Sequence, residues 1–474
     1  MSAFPSPPIL NSANLLSAFT ADEHDSSVEL LVDLIKYKTV SATAPHDGEY
    51  VKCAAYLQRT LEAFLPKVRQ TSPTSRVFLL DSSPSHSPVV VFKWVGTSPD
   101  LPVVLLNCHY DVVPAGVLTE WADPPFSGAV KGGKVYGRGA QDMKCVVAQY
   151  VAALRKLAEV GFTPSRTLVL TVVPDEENGG AGMAALLASE FYGVEICRKS
   201  GGVAIALDEG LASTAETYSV FYGERLPWWV EVTATGSTGH ASRFIEPTAM
   251  EQIVGIARKA LEFRKGQKDD LFGVGNPHAG CAHAVAASKK KTLGDVTSLN
   301  VTTLKAGVDN GDGTYALNVV PPSATASLDI RISPKMDPLE MKGLLDGWCK
   351  ECSVGEETTG GLTWKFVGDG NDVMAHSTTS TGPANPWYQK FEEGVGLSGI
   401  MVTPDVFPAA TDSRFLRALG IRALGFSPMR RSEMLLHDYN ECLGVDVFTE
   451  GCDVYVRLIR HLGMVQELEE EKKK

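Results

Sequence analysis

No stretch of the 474-residue chain approaches the roughly 20 consecutive apolar residues that a membrane-spanning helix needs, so no membrane partner is expected. Basic residues are also in short supply. Lysine and arginine number 44 against 56 acidic residues, for a net charge of −12. A surface of that sign releases no counterions on meeting a nucleic acid or an anionic lipid, which argues against both as partners. The one local basic run, KKK at 289–291, is short and reads as a solvated loop. Cysteine is sparse and irregular: nine residues, an odd number, form no regular framework, so free thiols in a reducing, cytoplasmic setting are expected. Cys349 and Cys352 have a CxxC spacing, but no second CxxC follows and the preceding MKGLLDGW reads as helix, which leaves a structural zinc or redox role unsupported. The opening MSAFPSPPILNSANLLSAFT lacks a basic start and a sustained apolar core, and is not expected to act as a signal peptide. No internal repeat occurs, and GRGAQD is not the GxGxxG turn of a dinucleotide site.

What is present is a 44% hydrophobic, 21% charged chain, close to an ordinary globular composition. Residues 26–37 and 50–64 carry apolar positions at helical spacing. Near-continuous apolar runs follow at 88–95, 102–107, 165–174 and 201–207, as in strands covered on both faces. The glycine-rich turn GRGAQDMK feeds a long helix that ends near Gly161. This alternation predicts an α/β catalytic domain with a doubly wound mixed sheet, whose ligands would bind beyond the strand ends. From about 219 the texture changes. An antiparallel strand at 219–236, a helix at 247–264, a polar loop at 265–294, two alternating strands and a helix at 337–350 read as an inserted α+β domain. The expected division is therefore 1–222 with 351–474 for the main domain and 223–350 for the insert.

The polar residues that matter cluster after the strands. In CHYDVVP, His109 and Asp111 are two apart and so face the same side of an extended chain. His109, Asp142, Glu177 and Glu209 are separated by 33, 35 and 32 residues, near the length of one βαβ unit, so equivalent positions can converge. His437, in MLLHDYNE, follows another apolar stretch. Imidazoles and carboxylates together suit zinc, and Asp111 can orient His109 from behind. Glu176 and Glu177 are adjacent and can serve different ends, one on a metal and the other as a general base. A solvated acidic turn is the plain alternative for DEENGG, as a hydrogen-bonded strand-end residue is for His109.

CHYDVVP, YGRGAQDMK, VPDEENGG and STGHASRF resemble the motifs of the M20 family of zinc peptidases and amidohydrolases, and ALDEG, PAATDSRFLRALG and ALGFSPM…LLHDYNE resemble its aminoacylase branch. The likeness runs in collinear order from about residue 26 to 462. It implies a catalytic domain with two zinc ions per subunit, interrupted by a lid through which two copies dimerise. It implies hydrolysis of N-acyl-L-amino acids to a carboxylate and a free L-amino acid. Carried over by residue, His109 and Glu209 would bind one metal, Glu177 and His437 the other, and Asp142 both. Asp111 would orient and Glu176 would act as base. His240, in TGHAS, would reach the active site of a partner subunit and stabilise the oxyanion. Asn318 and Arg331 match lid positions that grip substrate, and Arg414 would lie near it. Turn and exposed-strand roles are the plain alternatives for His240 and Arg331. The chain departs from the family pattern at 265–294 and at DNGDGTY, both in the insert.

Two other functions fit parts of the sequence. A dipeptidase or carboxypeptidase of the same family would use the same metal ligands. A metal-free binding protein on this scaffold would have no need of Glu176.

Overall fold

The structure is a computed structural model that describes residues 19–82, 87–273, 291–354, 361–367 and 373–472. The opening stretch to residue 18, Cys281 and most of the expected 265–294 loop lie outside them. The described chain divides into two compact units, one formed by residues up to Tyr222 with Thr379–Pro404 and Thr411–Lys474, the other by Gly223–Thr378 with Asp405–Ala410.

The first unit is built on an eight-stranded mixed sheet. Its strands run in the order Arg76–Ser82, Ser87–Trp94, Leu168–Val173, Val103–His109, Val203–Asp208, Ala423–Gly425, Tyr218–Glu224 and Val402–Phe407. The central strand Val103–His109 is parallel to both of its neighbours, Leu168–Val173 and Val203–Asp208. The apolar runs are continuous because each face of the sheet has its own core. Val104, Leu106, Leu168, Leu170 and Val172 point into one cluster, while Val103, Leu105, Val169 and Val173 point into the other. The helices Ala21–Lys36, Glu49–Thr71, Lys144–Glu159 and Val445–Gly463 fill the larger core. Sequential neighbours leave Val103–His109 in opposite directions across the sheet, so the switch in strand order falls beside His109.

The second unit holds a four-stranded antiparallel sheet in the order Ser298–Ala306, Ser323–Ile332, Leu226–Thr235 and Gly361–Phe366. Strand Ser323–Ile332 alternates buried and more open positions, and its buried residues pack against helices Ala249–Phe272 and Pro338–Cys352. Thr248 caps the first helix by accepting from the Glu251 amide, and Asp337 caps the second by accepting from the Leu339 amide.

Three expectations change. The stretch 219–236 is two strands: Tyr218–Glu224 belongs to the large sheet and Leu226–Thr235 to the small one. The helix expected at 247–264 continues to Phe272, so the start of the expected loop is helical. The return to the first unit comes at Thr379 and not at 351, because Gly361–Phe366 pairs with Leu226–Thr235 and extends the smaller sheet. Cys349 and Cys352 are free thiols on helix Pro338–Cys352.

Candidate active site

His109 is the last residue of its strand and lies in register with Val173. Its imidazole is 1% exposed, with Nδ1 3.4 Å from Asp111 Oδ1 and Nε2 3.2 Å from Asp142 Oδ1. Glu209 follows the strand Val203–Asp208 and brings Oε2 to 3.7 Å from the same Nε2. Asp142 reaches this point from a turn before helix Lys144–Glu159. That turn needs glycine: Gly139 sits at φ +90°, and a Cβ there would lie 2.9 Å from Val112 Cγ1.

The other oxygen of Asp142 faces His437. Asp142 Oδ2 and Glu177 Oε2 each lie 3.1 Å from His437 Nε2. Two groups result, His109–Asp142–Glu209 and Asp142–Glu177–His437, and in each the ligand atoms lie within 4.8 Å of one another. All five residues expected to bind metal from the sequence are thus brought together.

Glu176 and Glu177 do not extend a strand, which ends at Val173. They sit in a turn entered through Asp175 at φ +64°. Asp111 holds that turn, its Oδ1 accepting from the Glu176 amide at 3.2 Å and its Oδ2 from the Glu177 amide at 3.1 Å. Tyr50 also anchors it by donating to Asp175 Oδ1 at 2.9 Å. The adjacent side chains of Glu176 and Glu177 are therefore set by a turn and not by a strand.

Burial and crowding of like charge set the electrostatics. Burial, then the charge of Glu209, holds the Glu176 carboxyl well above its ordinary value. Burial and Asp142 raise Glu177 to about 7, and raise Glu209 well above its usual range. Asp142 goes the other way: burial would raise it, but hydrogen bonds with His109 and His437 hold it low. Asp142 and Glu177 raise His437 to about 10.

This donor set fits a pair of cations. Three carboxylates and two imidazoles converge, Glu177 Oε1 is buried without a hydrogen-bond partner, and nitrogen with oxygen donors suits zinc.

The expected substrate residues are placed less simply. Arg414 donates through Nη2 to the Gly179 carbonyl at 2.9 Å and lies over the Phe415 ring, so it braces the acidic turn. In the second unit, His240 and Asn318 meet across a two-stranded ribbon in which His240 pairs with Val319, and the Asn318 carbonyl accepts from the Ala241 amide at 2.8 Å. His240 is exposed, with Nδ1 2.7 Å from Ser242 Oγ. Arg331 already engages Asp329 through Nε at 2.8 Å and Nη2 at 3.0 Å.

Sequence reasoning missed Asp412. Both its carboxylate oxygens are buried without a hydrogen-bond partner, and burial followed by the nearby Asp208 raises it to about 8. Nothing in ATDSRF distinguishes this residue from a solvated turn aspartate. Asp208 is itself held by Asn107 Nδ2 at 3.0 Å and Ser413 Oγ at 2.7 Å. Glu441, four places after His437, was also given no role.

The family described as peptidase family M20/M25/M40 matches residues 105–461. Aminoacylase-1 of Dictyostelium discoideum is 39% identical over 414 residues, covering 84% of this chain and 95% of that protein. Aminoacylase-1 of Mus musculus is 41% identical over 383 residues, covering 80% and 85%. An M20 family metallo-carboxypeptidase from Sulfolobus solfataricus shares the fold, with a TM-score of 0.65 at 17% identity over 93% of this chain and 100% of its own. On the extent of the family match and of these similarities, the chain belongs to peptidase family M20/M25/M40.

Proposed function

We propose that this chain hydrolyses N-acyl-L-amino acids at a pair of zinc ions, releasing a carboxylate and a free L-amino acid. The chain is an amidohydrolase of the aminoacylase kind, given its family and its 39% and 41% identity to proteins named Aminoacylase-1. The observation that carries the two-ion reading is Asp142, whose two oxygens face two separate ligand groups.

His109, Asp142 and Glu209 would hold one ion, and Asp142, Glu177 and His437 the other. When bound, such ions polarise the amide carbonyl and make water more acidic. Glu176 then takes a proton from the attacking water and delivers it to the amide nitrogen as the C–N bond breaks. Asp111 fixes the tautomer of His109 and the backbone on which Glu176 stands. His240 of a second copy donates to the oxyanion, and Asn318 and Arg331 receive the amino-acid portion, with the guanidinium suited to its carboxylate. Phe244 and Leu317, both almost fully exposed close in sequence to His240 and Asn318, support an interface with that second copy, and hence a homodimer through the inserted domain. Free thiols such as Cys197 and Cys352 suit a cytoplasmic setting.

A hydrolysis panel tests the reading. N-acetyl-L-amino acids and dipeptides are offered to the purified protein with zinc added, then with zinc chelated. Turnover of the acylated substrates that disappears on chelation is the expected result. A preference for dipeptides would transfer the chain to the peptidase reading, and undiminished activity without metal would overturn the mechanism.

A further inference from the structure

The bridging aspartate and His437 come from segments about 300 residues apart, and both segments converge on one buried acid that no step of the reaction uses. Glu441 is fully buried. Its Oε1 accepts from the amides of Gln141 at 2.7 Å and Asp142 at 3.3 Å. Its Oε2 accepts from the Gly139 amide at 3.1 Å and from Arg138 Nη1 at 2.7 Å. Arg138 continues the link: Nη1 donates to the Asp438 carbonyl at 3.3 Å and Nη2 to the His437 carbonyl at 3.2 Å. His437 itself stands at φ +62°, a conformation that an L-residue keeps only when its surroundings impose it.

We infer that the Glu441–Arg138 pair is a positioning device for the metal pair, with Glu441 setting the loop that presents Asp142 and Arg138 transmitting that setting to the backbone of His437. The inference rests on the two-metal reading above.

The chemistry requires a carboxylate. Four donors converge on Glu441, two on each oxygen, and the donors include the amide of the bridging ligand. A glutamine can accept on one side only, and its NH2 would face two donors on the other. A buried arginine that loses its carboxylate partner is also uncompensated. A ligand that can drift binds its ion less tightly, and loss of a group that orients metal ligands typically costs about 10–100-fold in metal affinity.

The two partners differ in what they touch, which makes the inference testable. Glu441 holds Asp142, which serves both ligand groups. Arg138 reaches His437, which serves only one. In Arg138→Lys the charge facing Glu441 persists, but a single ammonium lacks the fork that spans the His437 and Asp438 carbonyls.

The experiment is a cobalt(II) titration of the metal-free full chain, followed by visible absorption and by calorimetry, with thermal unfolding of each metal-free variant alongside. Wild type is expected to take up two ions. Glu441→Gln should weaken both by about 10-fold or more, whereas Arg138→Lys should weaken one by a similar factor and leave the other at its wild-type affinity. Wild-type affinities for both ions in Arg138→Lys would overturn the inference, even if its unfolding temperature falls, because a purely structural role lowers stability without touching the ions. Equal weakening of both ions in Arg138→Lys would also overturn it. Should Glu441→Gln not fold, Arg138→Lys alone decides. A wild type that takes up no metal would instead remove the two-metal reading beneath it.

Discussion

His109 and His437, 328 positions apart in the chain, meet on opposite oxygens of a single carboxylate: Asp142 Oδ1 lies 3.2 Å from one imidazole and Oδ2 3.1 Å from the other. A bridging geometry of this kind gives two cations a shared ligand. It also places Asp142, Glu177 and Glu209 close together, an arrangement that opposes folding unless positive charge is supplied.

Metal should therefore stabilise this chain as well as activate it. An ion present at a hundred times its dissociation constant adds about 2.7 kcal/mol to folding stability. Dialysis against a chelator is expected to abolish hydrolysis and lower the unfolding temperature, and returning zinc should restore both. The checks are differential scanning calorimetry and metal analysis on the same samples. A chelated protein that retains its unfolding temperature would show that the acidic cluster is satisfied without cations.

Glu176→Gln should separate binding from chemistry. Glu176 is in neither ligand group, so the variant should retain its full metal content, while loss of the base costs about 10²–10⁴ in kcat. Metal analysis and steady-state kinetics on one preparation decide the matter. If metal and activity are lost together, Glu176 is a ligand and the base must be sought elsewhere.

The metal-free protein should be less stable at pH 8 than at pH 5.5. Glu177 has a folded-state value raised to about 7, so between its unfolded value and that point the native chain binds more protons than the unfolded chain. Stability therefore falls as pH rises through this window. Glu176 and Glu209 act in the same direction, since both are raised. His437, raised to about 10, contributes stability that is complete below its unfolded value and is lost as pH approaches 10. Asp142, held low, contributes in the opposite sense only in acid. Thermal unfolding across pH in chelator measures the slope. The metal-loaded form should lose this slope, because cations bind the deprotonated carboxylates.

The large sheet was legible because both of its faces are buried, which writes strands such as Val103–His109 as unbroken apolar runs. His109 and Glu209 were legible as candidate ligands because they stand at or just beyond the ends of two such strands, Val103–His109 and Val203–Asp208. Other features left no periodic trace. The split of 218–235 between two sheets falls at Arg225, between strands Tyr218–Glu224 and Leu226–Thr235, and nothing in the alternation marks it. The Gly361–Phe366 strand is short and half-buried, so its pairing with Leu226–Thr235 is a tertiary fact. Arg331 read as a clamp for a carboxylate, and nothing in the spacing showed that Asp329, two residues away on the same face of its strand, would hold its Nε and Nη2. Glu441 and Asp412 are single acids inside motifs, and only burial distinguishes them from solvated ones.

Asp111 bears on ligand, base and turn at once, so its variants should grade by what each can still accept. Its side chain faces His109 Nδ1 and takes the amides of both Glu176 and Glu177. Asp111→Asn retains the shape but has one accepting oxygen, so one of the two amides would face an NH2 group, and the carboxylate charge behind His109 is lost. Asp111→Ala removes the carboxylate but keeps the residue-111 carbonyl that lies 3.1 Å from His109 Nδ1; it leaves the Glu176 and Glu177 amides without their acceptor, at about 1–3 kcal/mol for the buried Glu176 amide. Metal affinity and kcat/KM should fall about 10–100-fold in Asp111→Asn, and further in Asp111→Ala, which should also show the lower unfolding temperature. Competition against a chromophoric chelator gives the affinities, and calorimetry gives the stabilities. If Asp111→Asn matches wild type in both metal affinity and kcat/KM, the negative charge behind His109 has no part in tuning the site, and the role of Asp111 reduces to holding the turn.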